Sequence, residues 1–195
     1  MKGSEAKAPR FDLQTARIRT CPDYVVGVDP GPVESAYLVL ERGSRCLLHG
    51  IEPNDRVLEL LSEYPLKNES HLSLEMISSY GMPVGWETYE TVYWIGRFAQ
   101  AWGNDSTMAR IYRVQARSHL CGSGKAGDPE VWRAILDRFG PSKALAVGTK
   151  KAPGPLYGVT SHKRSALAVA LVYWDLVRGV EGPTPPHQCT QTVSY

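Results

Sequence analysis

The sequence offers its cysteines no partners. Cys21, Cys46, Cys121 and Cys189 are scattered through 195 residues with no C-x-x-C pair, so neither a zinc site of ordinary spacing nor a disulfide framework is indicated. His119-Leu120-Cys121 is half a metal site with no second half, and reads as a strand end. Long apolar runs are also missing. Nothing approaches the roughly 18 to 20 residues of a membrane span, and the start, MKGSEAKAPRFDLQTARIRT, has no continuous apolar segment of a secretory signal. The expectation is a cytoplasmic protein with reduced thiols and no membrane partner. There are no internal repeats, which excludes solenoids and propellers.

Net charge is nearly absent too, at +2, but the total hides a division. Lys and Arg stand against Asp and Glu as 5 to 2 in residues 1–20, 4 to 12 in 21–96, 13 to 5 in 97–178 and 0 to 1 in the rest. An acidic first half and a basic second half suit a protein that sets acidic chemistry in one region and grips a polyanion with another.

What is present is one domain's worth of core, with 43% hydrophobic residues. Residues 1–22 read as a basic arm, 23–179 as the folded domain and 180–195 as a tail. Tyr24 to Asp29, Ser35 to Leu40 and Cys46 to Ile51 are short Val/Leu/Ile runs divided by turn residues, an antiparallel meander. NDRVLELLSEY follows as a helix with Asn54 as its cap and Val57, Leu60, Leu61 and Tyr64 on one face. HLSLEMI is a strand. WETYETVYWIGRFAQAW repeats apolar residues at helical spacing, and its stripe Trp86, Tyr89, Tyr93 reads as packing, in the core or against a second subunit.

ARIYRVQARSHL reads as a strand, and GDPEVWRAILDRFG as a helix capped by Asp128, with Pro129 in its first turn. After the loop GTKKAPGPLYGVTS, HKRSALAVALVYWDLVRG is an Ala-rich helix closed by Gly179. The order β-β-β-α-β-α-β-α-α predicts a mixed sheet with helices on both faces. Right-handed crossover lays strand 71–77 parallel to strand 24–29.

That adjacency sets Asp29 and Glu75 side by side at strand ends. Two close carboxylates repel unless a cation lies between them, and Mg²⁺ or Mn²⁺ suits oxygen ligands while keeping water and phosphate oxygens in its shell. Such a pair favours two-metal phosphodiester hydrolysis. Other readings stay open at each position: Asp29 as a turn cap, Glu75 in an ion pair with an arginine, His162 as a helix cap beside Ser161.

VGVDPG, LEM, GSGKAGDPEVWRAILDRFG and SHKRSALAVAL, in that order, resemble the RuvC-type Holliday junction resolvases of the RNase H-like superfamily. ISSYGMPVG, WIGRF and GTKKAPGPLYG resemble phage-borne relatives. The resemblance spans about Tyr24 to Leu176. It implies an α/β, RNase H-like fold with a five-stranded mixed sheet, cleavage of four-way or other branched DNA by a homodimer, Mg²⁺ or Mn²⁺ in a two-metal site, no organic cofactor, and a bacterial or phage-infected host cell.

On this chain Asp29 matches the first-strand metal aspartate, Glu75 the fourth-strand glutamate and His162 the residue opening the last helix. Three residues on, where the resemblance calls for a carboxylate, stands Ser165, a weaker ligand for a hard cation. Asp128 is the candidate replacement. Asp175, some 15 Å further along the helix at about 1.5 Å per residue, reads as a surface acid.

Lys150, Lys151, Lys163 and Arg164 are placed to meet phosphates, and Tyr80 to stack on an unpaired base. Three alternatives accompany the nuclease: a branched-DNA-binding protein with a weakened site, a nuclease of RNA–DNA hybrids, and a sugar-kinase-like or actin-like ATPase. The last is suggested by VDPGPVES, although such proteins need two lobes.

Overall fold

The computed structural model describes residues 22–64, 67–79, 81 and 83–181. Nearly all of the expected arm and tail lies outside the described residues. β1 (Tyr24–Asp29), β2 (Glu34–Glu41) and β3 (Arg45–Pro53) form the meander, followed by α1 (Asn54–Ser62) and β4 (Ser70–Met76). Then come α2 (Trp86–Trp102), β5 (Met108–Tyr112), α3 (Arg113–Cys121), α4 (Asp128–Phe139), α5 (Lys143–Val147) and α6 (His162–Glu181). The five strands lie in the order β3-β2-β1-β4-β5, with β1 antiparallel to β2 and parallel to β4, and β4 parallel to β5. The crossover from β3 through α1 to β4 therefore does what the sequence predicts.

The strand pleat divides the core in two, because alternate side chains point to opposite faces. Val26, Val28, Leu72 and Leu74 pack with Val57, Ile95, Phe98 and Trp102 of α1 and α2. Val25, Leu38, Ala109 and Ile111 pack with α3, α4 and α6 on the other face. Ala166 to Trp174 of α6 are all buried, as befits a helix covered by the sheet on one side and by α3 and α4 on the other. Gly27 lets α6 come close to β1: a Cβ there would lie 2.2 Å from the Ala166 carbonyl oxygen and 2.9 Å from Ala170 Cβ.

Four local expectations change. The segment predicted as one strand, ARIYRVQARSHL, is strand only to Tyr112 and then helix α3, so His119-Leu120-Cys121 ends a helix. Helix α4 is capped by Gly127 and α1 by Pro53, which makes Asp128 and Asn54 the first helical residues rather than caps. Asn54 instead braces the turn after Asp29, accepting from Ser35 Oγ at 2.5 Å and donating to the Gly31 carbonyl at 2.9 Å. Asp175 is no ordinary surface acid, since it accepts from His119 Nε2 at 2.7 Å and Arg138 at 2.6 Å and so ties α3 and α4 to α6.

Trp86, Tyr89 and Tyr93 do not enter the core but stand exposed on α2. Short helix α5 had no counterpart in the sequence reading. Among the described residues no helix is long and apolar enough to cross a membrane.

Candidate active site

With Val25 of β1 turned toward α6, the period of two brings Gly27 and Asp29 to the same face. On β4, Leu72 and Leu74 face away, so His71, Ser73 and Glu75 face α6. The polar residues of that stripe are satisfied by the helix: His71 Nδ1 lies 2.8 Å from the Tyr173 hydroxyl, and Ser73 donates to the Val169 carbonyl at 2.9 Å. The parallel register runs to Val28 opposite Leu74, and its next step is Asp29 beside Glu75. Both acids are buried, 8% and 4% exposed, at the carboxyl ends of neighbouring strands, where open α/β sheets place their ligand sites.

Burial, first, and then the charge of Glu75 and a hydrogen bond shared with it push the Asp29 carboxyl up to about 9. Arg113 and a hydrogen bond from the Ser165 hydroxyl pull the other way without prevailing. At neutral pH the pair therefore holds one proton in place of a second negative charge. Arg113, the first residue of α3, reaches back from the end of β5 and donates from Nε to Glu75 Oε1 at 2.6 Å. The ion-pair reading of Glu75 is thus realised, although buried Glu75 Oε2 meets no nitrogen or hydroxyl donor and has only the proton of the acid pair to draw on.

Helix α6 closes the site from above. Residues three apart share a helix face, and His162 Nδ1 lies 3.0 Å from Asp29 Oδ2 while Ser165 donates to the same carboxyl. Among the described residues no three His, Cys, Asp or Glu side chains gather as a metal cage. The donor set still fits a divalent ion of the weakly caged kind, which needs one or two carboxylates and fills its shell with water and phosphate oxygens. Two abutting carboxyls with one orphaned oxygen ask for a proton or a cation.

The acids lie between two clefts. One of about 480 Å³ is walled by Glu75, Arg117, Asp128, Trp132, Arg164 and Ser165, and another of about 400 Å³ by Asp29, the turn 30–34 and Thr91. Arg113 and His162 border both. Asp128 is at the cleft wall, not on the acid pair, and accepts from Arg117 at 2.9 Å. Arg164 lies over the Trp132 ring at 4.3 Å. Lys150 and Lys151 are exposed and border neither cleft. Lys163 turns toward β3, where its charge opposes the burial that pushes the Cys46 thiol up to about 11.

Tyr80 lies outside the described residues. Sequence reading missed Arg113 and Arg117, whose i, i+4 spacing carries meaning only once the segment is known to be a helix.

No protein-family model matches the chain. The Thermus thermophilus RuvC structure superposes with a TM-score of 0.53 at 22% identity, over 76% of this chain and 91% of that one. T. thermophilus RuvC in complex with Holliday junction substrate superposes with 0.54 at 23% identity, over 80% and 96%. The alanine–tRNA ligase of Cereibacter sphaeroides is 27% identical over 122 residues, 63% of this chain, which spans only 13% of that protein's length. The structural likeness and the strand order together establish the RNase H-like fold, in its RuvC-like form.

Proposed function

We propose that the protein is a metal-dependent endonuclease that hydrolyses phosphodiesters in four-way or otherwise branched DNA. The observation that carries this reading is the buried Asp29–Glu75 pair, one oxygen unsatisfied, opening onto arginine-bordered clefts at the strand ends. The RuvC-like fold supports it, since T. thermophilus RuvC has been seen with a Holliday junction substrate.

Asp29 and Glu75 would hold Mg²⁺ or Mn²⁺, and a second ion of a two-metal site would rest on Asp29, His162 and the Ser165 hydroxyl. Such ions would neutralise phosphate oxygens and lower the pKa of an attacking water. The protein's own part is positional. Asp29 would be held ionised by a bound cation, Ser165 orients that carboxyl, and Arg113 screens Glu75 while bordering both clefts that a strand would cross. His162 engages Asp29 through Nδ1, so a ligand role for this ring falls to Nε2.

Symmetric cutting needs two sites, and a homodimer supplies them by a twofold axis. The exposed face of α2, with Trp86, Tyr89, Val92 and Tyr93, supports such a partner. A cytoplasmic setting, in a bacterium or a phage-infected cell, goes with this substrate.

Ser165 favours one competing reading, a protein that binds branched DNA without cutting it. A synthetic four-way junction in Mg²⁺ or Mn²⁺ separates the two. The wild-type chain should nick it, and Asp29→Asn and Glu75→Gln should each lose at least about a hundredfold, more than the loss of an outer-shell partner. Cleavage that persists in both variants would overturn the site assignment.

A further inference from the structure

The larger cleft carries more than the acid pair requires. Its wall brings three guanidiniums, Arg113, Arg117 and Arg164, from two helices to one concavity. Arg117 Nε and Arg164 Nε are both buried without a hydrogen-bond partner. An unpaired buried donor is costly, and two on residues that line one cleft leave hydrogen-bonding capacity there that an anion can use.

One of the two helix N-termini at the cleft supports the same reading. Ser161 and His162 at the start of α6 and Asp128 and Pro129 at the start of α4 border the cleft; the first turn of α6 has no acidic residue, whereas that of α4 carries Asp128 and Glu130, so the favourable end is that of α6. The positive ends of helix dipoles favour an anion. The opposing charges are Glu75, engaged by Arg113, and Asp128, engaged by Arg117 with its carboxylate largely in solvent. The other side of the wall is apolar and aromatic: Ala116, Val131, Ala168 and Trp132.

Resting on the nuclease reading above, we infer that this cleft is a subsite for one unpaired nucleotide of the bound strand, adjoining the phosphate at the acid pair. Its phosphate is taken by the guanidiniums of Arg117 and Arg164, a group whose planar donors match phosphate oxygens, with Arg117 exchanging its exposed partner Asp128 for the phosphate. Its base lies against the stacked pair Arg164–Trp132, because guanidinium and indole planes both stack on bases. A volume of about 480 Å³ suits one nucleotide and is too small for a duplex. The subsite thus selects a place where a base has left its helix, as at a crossover or a strand junction.

The test is binding without cleavage, with the full chain in EDTA and two junctions that differ only by one unpaired nucleotide beside the crossover. Wild type should bind the junction with the unpaired nucleotide about tenfold more tightly. Arg117→Gln and Arg164→Gln should each lose about tenfold in affinity and lower the slope of log K against log salt by about one. Arg117→Lys and Arg164→Lys should keep the slope but not the affinity, which a role in mere charge would restore. Trp132→Phe should keep the fold and narrow the preference for the unpaired nucleotide, whereas Arg133→Gln, outside the cleft, should change neither quantity.

Equal binding of the two junctions by wild type, or wild-type affinity in both Gln variants, would overturn the subsite. With Asp29→Asn still inactive, the nuclease reading would survive that result. Failure of the wild-type chain to bind any branched DNA would remove both.

Discussion

Asp29→Asn should abolish cutting and, in metal-free protein, remove a pH dependence of stability. The unfolded Asp29 carboxyl ionises near 3.8, while burial and Glu75 keep it protonated in the folded chain up to about 9. Between those values unfolding releases a proton, so each rise in pH favours the unfolded state, by about 1.4 kcal/mol per unit. His71 acts in the opposite sense: burial lowers its pKa from 6.5 to about 4, unfolding takes up a proton there, and its effect is over by about pH 7.

A window from about pH 7 to about pH 8.5 isolates Asp29. The loss over it is about 2 kcal/mol, or about 4–8 °C in melting temperature for a domain of this size. Asparagine cannot ionise, and its amide donates to Glu75 as the protonated acid does. Thermal melts in EDTA should therefore fall across the window for wild type and stay nearly flat for Asp29→Asn. Saturating Mg²⁺ should flatten the wild-type curve as well, because a cation replaces the proton between the carboxyls. An equal fall in the variant would show that the proton is not on Asp29 and would refute the coupled-pair account.

Gly27→Ala should force α6 away from β1, because the new Cβ meets the Ala166 backbone rather than a flexible side chain. A loss of about 1–3 kcal/mol by denaturant titration is expected, with a fall in cutting larger than the stability change alone gives, as His162 moves off Asp29. Ser165→Asp should return a carboxylate to the rim of the site. Mn²⁺ should bind about tenfold more tightly by calorimetry and half-maximal cutting should need less metal, while metal-free protein melts lower from the third acid. Unchanged metal affinity would exclude Ser165 from the ligand set.

The RNase H-like sheet was legible because each strand announced itself in alternation or in a short buried run, and because crossovers have one hand. Asp29 and Glu75 stood out as acids at the ends of such runs. Helix α3 was not legible. Ile111, Tyr112 and Val114 continue a strand pattern, and no Ser, Thr, Asp or Asn marks the turn into helix. What caps it is the Gln115 side chain accepting from the Tyr112 N–H at 2.9 Å, and what holds it is Ala116, buried against α6. With that helix hidden, Arg113 could not be seen to reach Glu75, nor Arg117 to face Arg164. The exposed aromatics of α2 were ambiguous for a related reason, since periodicity reports an apolar face and not what covers it.

By itself the sequence determined which residues are acids at strand ends, which strands run parallel, and that position 165 lacks a carboxylate. These are properties of local pattern and chain handedness. Tertiary structure alone decided that the two carboxyls share a proton, that an arginine stands beside them, and that unpaired guanidinium donors converge in the neighbouring cleft. Those facts depend on desolvation and on contacts between residues such as Glu75 and Arg113, 38 positions apart, or Asp29 and His162, 133 apart. Spacing along the chain says nothing of either until packing fixes the distances.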